Sequence, residues 1–126
     1  MGFSVKANIS EESIAGLLAC AFEGGSNSWY MIEDYEAPEN PRPVMFGDEI
    51  FKHTDYPVTG GAVIVSDMHD EERGHMRLDG EAIQRGLTAM SEKCPQAWGD
   101  FITGDADAIT GDCFLQCCLF GEVVYG

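Results

Sequence analysis

The chain of 126 residues carries 22 Asp and Glu against seven Lys and Arg, a formal net charge of −15. This sign argues against direct binding of nucleic acid or of an anionic membrane, since each phosphate contact needs a Lys or Arg. The length and the 44% of hydrophobic residues predict one globular domain, residues 1–126, with a core large enough to need no disulfides.

Targeting signals are not apparent in the sequence. The opening stretch, MGFSVKANIS, lacks the basic and apolar regions of a signal peptide, and no apolar run approaches the roughly 18 residues of a membrane span. We therefore expect a cytoplasmic protein whose five cysteines are free thiols.

The first part of the chain predicts a strand, a helix and a second strand. Apolar and polar residues alternate over residues 3–9, which is typical of a half-buried strand. Ser10 is a suitable N-cap for a helix over residues 11–23, because two glutamates and an apolar stripe follow it. Ser28–Glu33 predicts the second strand, and the three prolines of Asp34–Pro43 predict a surface loop.

The central part predicts two further strands. One is expected at Glu49–His53, and a clearer one at residues 62–67, AVIVSD, directly after two glycines. The charged segment that follows, residues 67–77, is expected to be a loop or the end of a hairpin.

The last part predicts helices. Asp79 can cap one helix, Pro95 suits the first turn of another that reaches Ile102, and a turn-rich connector leads to a last helix at Asp112–Phe120. Together the patterns predict a single α+β domain, a small antiparallel sheet packed against three or four helices.

Three cysteines of the last helix raise the question of a metal site. Cys113 and Cys117 are four residues apart and share a helical face, as a zinc pair would. The sequence shows no second pair at zinc-ligand spacing, and apolar neighbours favour a buried helix in which Cys113, Cys117 and Cys118 pack as small hydrophobes. We therefore predict no metal site.

The segment from Asp67 to His75 is the most ligand-rich short stretch, yet it matches no motif of known mechanism. A solvated charged turn is the expected structure. The histidines at positions 53, 69 and 75 stand in no recognisable catalytic frame. We predict no enzymatic activity, no catalytic residues and no cofactor.

The acids fall in blocks. From Ala7 to Pro41 there are seven acids and no base, and from Cys94 to Gly126 five acids and no base. Dense carboxylates can compete with DNA phosphates for Lys and Arg, which favours a basic protein partner. The residues expected to bind it are Glu33, Asp34, Glu36, Glu39, Asp67, Asp70, Glu71 and Glu72, with Trp29 and Tyr35 as aromatic anchors if exposed. The alternative is a solvated acidic surface without a partner.

Three stretches carry a family resemblance: FEGGSNSWY, LDGEAIQRGLTAMSEKCPQAWGDF and TGDCFLQCCLFGEVVYG. They resemble a family of small uncharacterised acidic proteins of bacteriophages and mobile elements. The resemblance implies an inhibitor of host defence, such as an anti-CRISPR protein that covers the nucleic-acid-binding or PAM-reading surface of a CRISPR effector in the host cytoplasm. Such effectors hold nucleic acid in positive channels.

The sequence therefore favours a phage-type inhibitor that binds a basic host protein complex, with DNA mimicry as one mode of binding. One alternative is a small metal-dependent enzyme or metal-binding protein that uses Cys113 and Cys117, or His69 and His75. Another is a dimeric structural or interaction protein of a phage, with the last helix packed against its copy.

Overall fold

The computed structural model describes residues 9–24, 29–40 and 51–126. They form five helices and a three-stranded antiparallel sheet around one core, which confirms the predicted α+β fold. In chain order the elements are α1 (Glu11–Glu23), β1 (Tyr30–Glu36), α2 (Lys52–Asp55) with a 3₁₀ helix at Tyr56–Val58, β2 (Ala62–Asp67), a 3₁₀ helix at Glu71–Arg73, β3 (His75–Leu78), α3 (Gly80–Lys93), α4 (Pro95–Ile102) and α5 (Ala108–Phe120).

Side-chain caps fix where the long helices begin. The Ser10 hydroxyl accepts a hydrogen bond from the Ser13 amide at 3.1 Å, and the Asp79 carboxylate accepts one from Ala82 at 3.0 Å, as the sequence predicted. Asp107 does the same for the last helix by accepting from the Thr110 amide. Hydrogen bonds from Thr110 lower the pKa of Asp107.

The sheet has the order β1-β2-β3, and a bulge interrupts β1 between Ile32 and Asp34. Its inner face contributes Val63, Val65 and Leu78 to the core, where all three are fully buried. Its outer face carries side chains in register with one another on neighbouring strands: Met31, Ser66 and His75 in one row and Asp34, Ile64 and Arg77 in the next. One side of the sheet therefore serves the core, and the other presents polar groups and a methionine.

Helix α5 lies at the centre of the core between α1 and α3. Glycines allow α5 to approach both α1 and α3 closely. A Cβ atom on Gly111 would collide with the backbone of Cys20 and Ala21 in α1, and one on Gly86 of α3 would collide with Cys118. The helices thus approach to a distance that no larger residue at either glycine permits.

Three predicted elements differ from the structure. The strand expected at Glu49–His53 is wrong where it is described, because Lys52–Asp55 forms α2. The loop expected from Asp34 begins later, since residues 34–36 complete β1, and the loop expected over residues 67–77 contains β3. The strand expected over residues 3–9 lies outside the described residues except for Ile9. In β1 and β3, pairing with the neighbouring strand overrode the low β-propensity of the charged residues.

The last helix differs in its start and in its surroundings. It begins at Ala108, not at Asp112, because Asp107 supplies the cap. Phe114, Leu115 and Cys118 are fully buried within the chain. These side chains are therefore not available to a second copy, and dimer formation through the last helix stays a prediction.

Within the described segments no helix has both the length and the apolar character that crossing a bilayer demands.

Candidate functional site: an acidic cavity at one end of the sheet

A cavity of about 440 Å³ opens at the end of the sheet where β1, β2 and the turn after β2 meet. This volume lies within the range of about 300–1,000 Å³ that ligand sites span. The cavity is lined by Met31, Glu33, Ser66, Asp67, Met68, Asp70, Glu71, Gly74 and His75. We call it the acidic cavity.

Local structure holds the acids of the cavity in place. Glu33 lies at the bulge of β1, where its carboxylate accepts a hydrogen bond from the Ser66 hydroxyl of β2 at 2.7 Å. Asp70 caps the 3₁₀ helix by accepting from the Glu72 amide at 3.1 Å, which places Glu71 in its first turn. Two acidic segments far apart in the sequence therefore converge on one concave surface.

Two methionines flank this charge. Met31 is 48% exposed and Met68 is 54% exposed, which is unusual for side chains of this size and polarity. Unbranched thioether side chains adapt their shape to a bound group. The acidic cavity therefore combines carboxylates with an adaptable apolar wall.

Asp67 was predicted to contact a partner, and the structure corrects this. Its side chain is buried at 3% exposure. It accepts hydrogen bonds from the Tyr125 hydroxyl at 2.7 Å and from the His69 amide at 2.8 Å, and it lies 3.1 Å from Nε of Arg73. These contacts use its oxygens inside the protein, so Asp67 supports the floor of the cavity.

Trp29 was expected to be an aromatic anchor if exposed, and it is buried at 4% exposure. Its indole nitrogen donates to Asp112 at 2.7 Å, and its ring contacts Phe120 and Tyr125. Tyr35, the other predicted anchor, is 37% exposed and remains available on β1. Burial therefore assigns Trp29 to the core.

The other predicted acids divide into two groups. Glu36 forms an ion pair with Arg77, which also contacts Asp79 at 3.0 Å. Asp34, Glu39 and Glu72 are exposed but do not line the acidic cavity. The eight predicted acids thus form no single uniform site, and Glu33, Asp70 and Glu71 are the three exposed or partly exposed ones that share the cavity.

Arg73 offsets part of the cavity's charge. Its Nε lies 3.3 Å from Asp70 in addition to the Asp67 contact, and its guanidinium lies 4.3 Å above the Phe120 ring. This cation–π contact holds the guanidinium against the core side of the turn. Glu33 and Glu71 have no such cation among their described contacts, so the negative charge is strongest on their side of the cavity.

A polar network that the sequence did not reveal ties the C-terminal segment to this region. Gln116 of α5 is fully buried. Its carbonyl accepts from the amides of Val124 and Tyr125, both at 2.8 Å, and its amide donates to Asp112 and to the Tyr125 carbonyl. The segment is thereby held so that Tyr125 reaches Asp67. Hydrogen bonding to Asp67 raises the pKa of Tyr125.

The cysteines form a second feature, where α5 meets α3 and α4. The Sγ atoms of Cys94, Cys113 and Cys117 all lie within 4.8 Å of one another, and Cys94 is the member that the sequence analysis missed. Among the described residues this is the one group of three or more Cys, His or acidic side chains close enough to share a metal ion, and His69 and His75 do not belong to it. Cys118 lies apart, and burial raises its pKa.

A hydrogen bond with Cys117 and burial raise the pKa of Cys113, and burial raises that of Cys94. The predicted packing role fits Cys118 best, which is fully buried and lies outside the cluster.

Comparison with known proteins adds no relative to this geometry. No family model, curated protein or solved structure matches the chain.

Proposed function

We propose that the protein is a binding module without catalytic activity that docks a basic segment of a partner protein into the acidic cavity. The observation that carries this proposal is the convergence of Glu33 with Asp70 and Glu71 between two exposed methionines. A Lys or Arg side chain has the matching chemistry, since its cationic head suits carboxylates and its aliphatic stem suits thioethers.

The net charge of the chain acts at longer range. At −15 the protein attracts a basic surface before contact, which raises the association rate at low salt. The shape of the acidic cavity then determines where the cation binds. Asp34 on the neighbouring part of β1 lies on the same outer face of the sheet and extends the surface that a partner can cover, whereas Tyr35 pairs with Val63 on the opposite face.

The partner class is proposed from the family resemblance together with the charge. A CRISPR effector of the host holds nucleic acid in a positive channel. Covering such a surface in the host cytoplasm would block nucleic acid without any direct contact between this protein and nucleic acid, and without a cofactor. Any DNA mimicry would be centred on Glu33 and Glu71, because Glu36, Asp67 and Asp70 already pair with arginines of this protein.

Charge reversal in the cavity tests the proposal. We expect the double variant Glu33→Lys/Glu71→Lys to bind a host CRISPR effector at least about tenfold more weakly at low salt, because two attractive contacts become repulsive. The matched control is Glu81→Lys/Glu92→Lys, which changes the net charge equally at exposed positions of α3. Capture on immobilised effector at two salt concentrations measures the effect, and circular dichroism checks that both variants fold.

The control separates a site from overall charge. Retained binding by the α3 variant, together with weaker capture of the unaltered protein at high salt, is the expected pattern. Equal losses in both variants would show that only net charge matters. Capture that is insensitive to salt and to the cavity variant would overturn the proposal.

A further inference from the structure

Three thiols meet where α3, α4 and α5 come together. Cys94 lies at the junction between α3 and α4, and Cys113 and Cys117 lie one turn apart on α5. The Sγ atoms of Cys94 and Cys117 are 3.9 Å apart, and all three sulfurs lie within 4.8 Å of one another. The fold thus assembles a cluster that the sequence spacing did not indicate.

We propose that Cys94, Cys113 and Cys117 bind one Zn²⁺ ion through three thiolates. Zinc–sulfur bonds of about 2.3 Å at tetrahedral angles place two sulfurs about 3.8 Å apart. The Cys94–Cys117 separation already matches this distance, and small side-chain rotations bring Cys113 to the same spacing. Thiolates are soft ligands that select zinc over magnesium or calcium.

The fourth coordination position faces open space. A cavity of about 520 Å³ is bounded in part by Cys94 and Cys113, and it extends to Ile109 and Val123. Cys94 and Cys113 are only partly buried, so an ion can reach them from this cavity. A water molecule fits as the fourth ligand, which is the arrangement of zinc sites that keep one exchangeable position.

Zinc binding also balances chemically. Three S–H bonds break and three Zn–S bonds form, and the thiol protons pass to solvent, up to three per ion. The ion and three thiolates together carry one negative charge, whereas three closely spaced thiolates without metal would carry three. The metal therefore makes the ionised state of the cluster possible inside the protein.

The cluster differs from cysteines that serve packing alone. Cys118 fits against Gly86 and is fully buried, apart from the other sulfurs. Cys20, whose Sγ lies 3.9 Å from the Ala106 carbonyl, is also outside the cluster. These two residues provide the contrast that the experiment needs.

The test adds zinc alone to the reduced, metal-free full chain. We expect one tightly bound ion per chain by elemental analysis after desalting, and a thiolate-to-metal charge-transfer band when Co²⁺ replaces zinc. Cys94→Ser and Cys113→Ser should each abolish both signals, and Cys20→Ser should retain both. Circular dichroism confirms folding, and serine is tolerable at these positions because Cys94, Cys113 and Cys20 are only partly buried.

Several results would overturn the inference. Absence of stoichiometric zinc in the reduced chain would do so, and so would binding that persists in either Cys94→Ser or Cys113→Ser. Equal loss in Cys20→Ser would show a general effect on the fold. The outcome is independent of the acidic cavity, since Glu33→Lys/Glu71→Lys should bind zinc as the unaltered chain does.

Discussion

Replacing Gln116 by Leu is expected to lower the free energy of unfolding by about 3 kcal/mol, near the upper end of the cost of unsatisfied buried polar groups. All four hydrogen-bonding capacities of this buried amide are used, two by the backbone amides of Val124 and Tyr125 and two by acceptors on Asp112 and Tyr125. Leucine has a similar size but satisfies none of them. Chemical denaturation measures the loss.

The control for this change is Gln84→Leu, at an exposed position of α3. Exposed substitutions of this kind usually alter stability by no more than about 0.5 kcal/mol. Release of the C-terminal segment should also change the fluorescence of Trp29, because Tyr125 packs 5.7 Å from its ring. Equal stability of the two variants would contradict a structural role for the buried amide.

The second large effect is expected at Gly111, where α5 crosses α1. A Cβ atom there would lie only 2.6 Å from the Cys20 carbonyl carbon. We expect Gly111→Ala to destabilise the fold by about 3 kcal/mol, the upper end of the usual cost of overpacking. The atoms that the new Cβ would meet belong to the backbone of Cys20 and Ala21 in helix α1, which has no room to yield. Thermal or chemical unfolding measures this change.

Gly16→Ala is the matched control, since Gly16 lies in α1 and its Cβ would meet no atom within 4 Å. There alanine should stabilise the protein by up to about 1 kcal/mol through helix propensity. The two substitutions are thus expected to change the stability of the protein in opposite directions. A Gly111→Ala variant as stable as Gly16→Ala would show that the two helices pack less closely than the structure has them.

Local signals were sufficient for most of the fold. Ser10 and Asp79 marked the starts of α1 and α3, because a cap acts within its own turn. The apolar run of β2 was equally clear. Strand β3 was missed because its exposed residues, such as His75 and Arg77, resemble a solvated turn, and only pairing with β2 makes them a strand.

The candidate site was predicted in part. Glu33, Asp70 and Glu71 stood out as members of two acidic segments, and the fold brings these three to one cavity, while their role in partner binding stays a prediction. Asp67 is identical in type, yet contacts with Tyr125 and Arg73 place it inside the protein. Contacts between residues this far apart in the chain leave no periodic signal in the sequence.

The thiol cluster, too, could be predicted only in part from the sequence. Cys113 and Cys117 were recognised as a helical pair from their spacing of four. Cys94 lies 23 positions before Cys117 in the sequence and joins the pair because α3 and α4 pack on α5. A helix junction followed by Pro95 gave no indication of a ligand, because the meeting of three helices is a property of tertiary structure.

The central claim is that a cation binds at the acidic cavity, and methionine methyl NMR tests it most directly. A short arginine-rich peptide is titrated into ¹³C-methyl-methionine protein at low salt. We predict that the methyl signals of Met31 and Met68 shift, that the buried Met90 does not respond, and that high salt or Glu33→Lys/Glu71→Lys removes the shifts. Binding that leaves Met31 and Met68 unchanged, or that moves them equally in the cavity variant, would contradict the account.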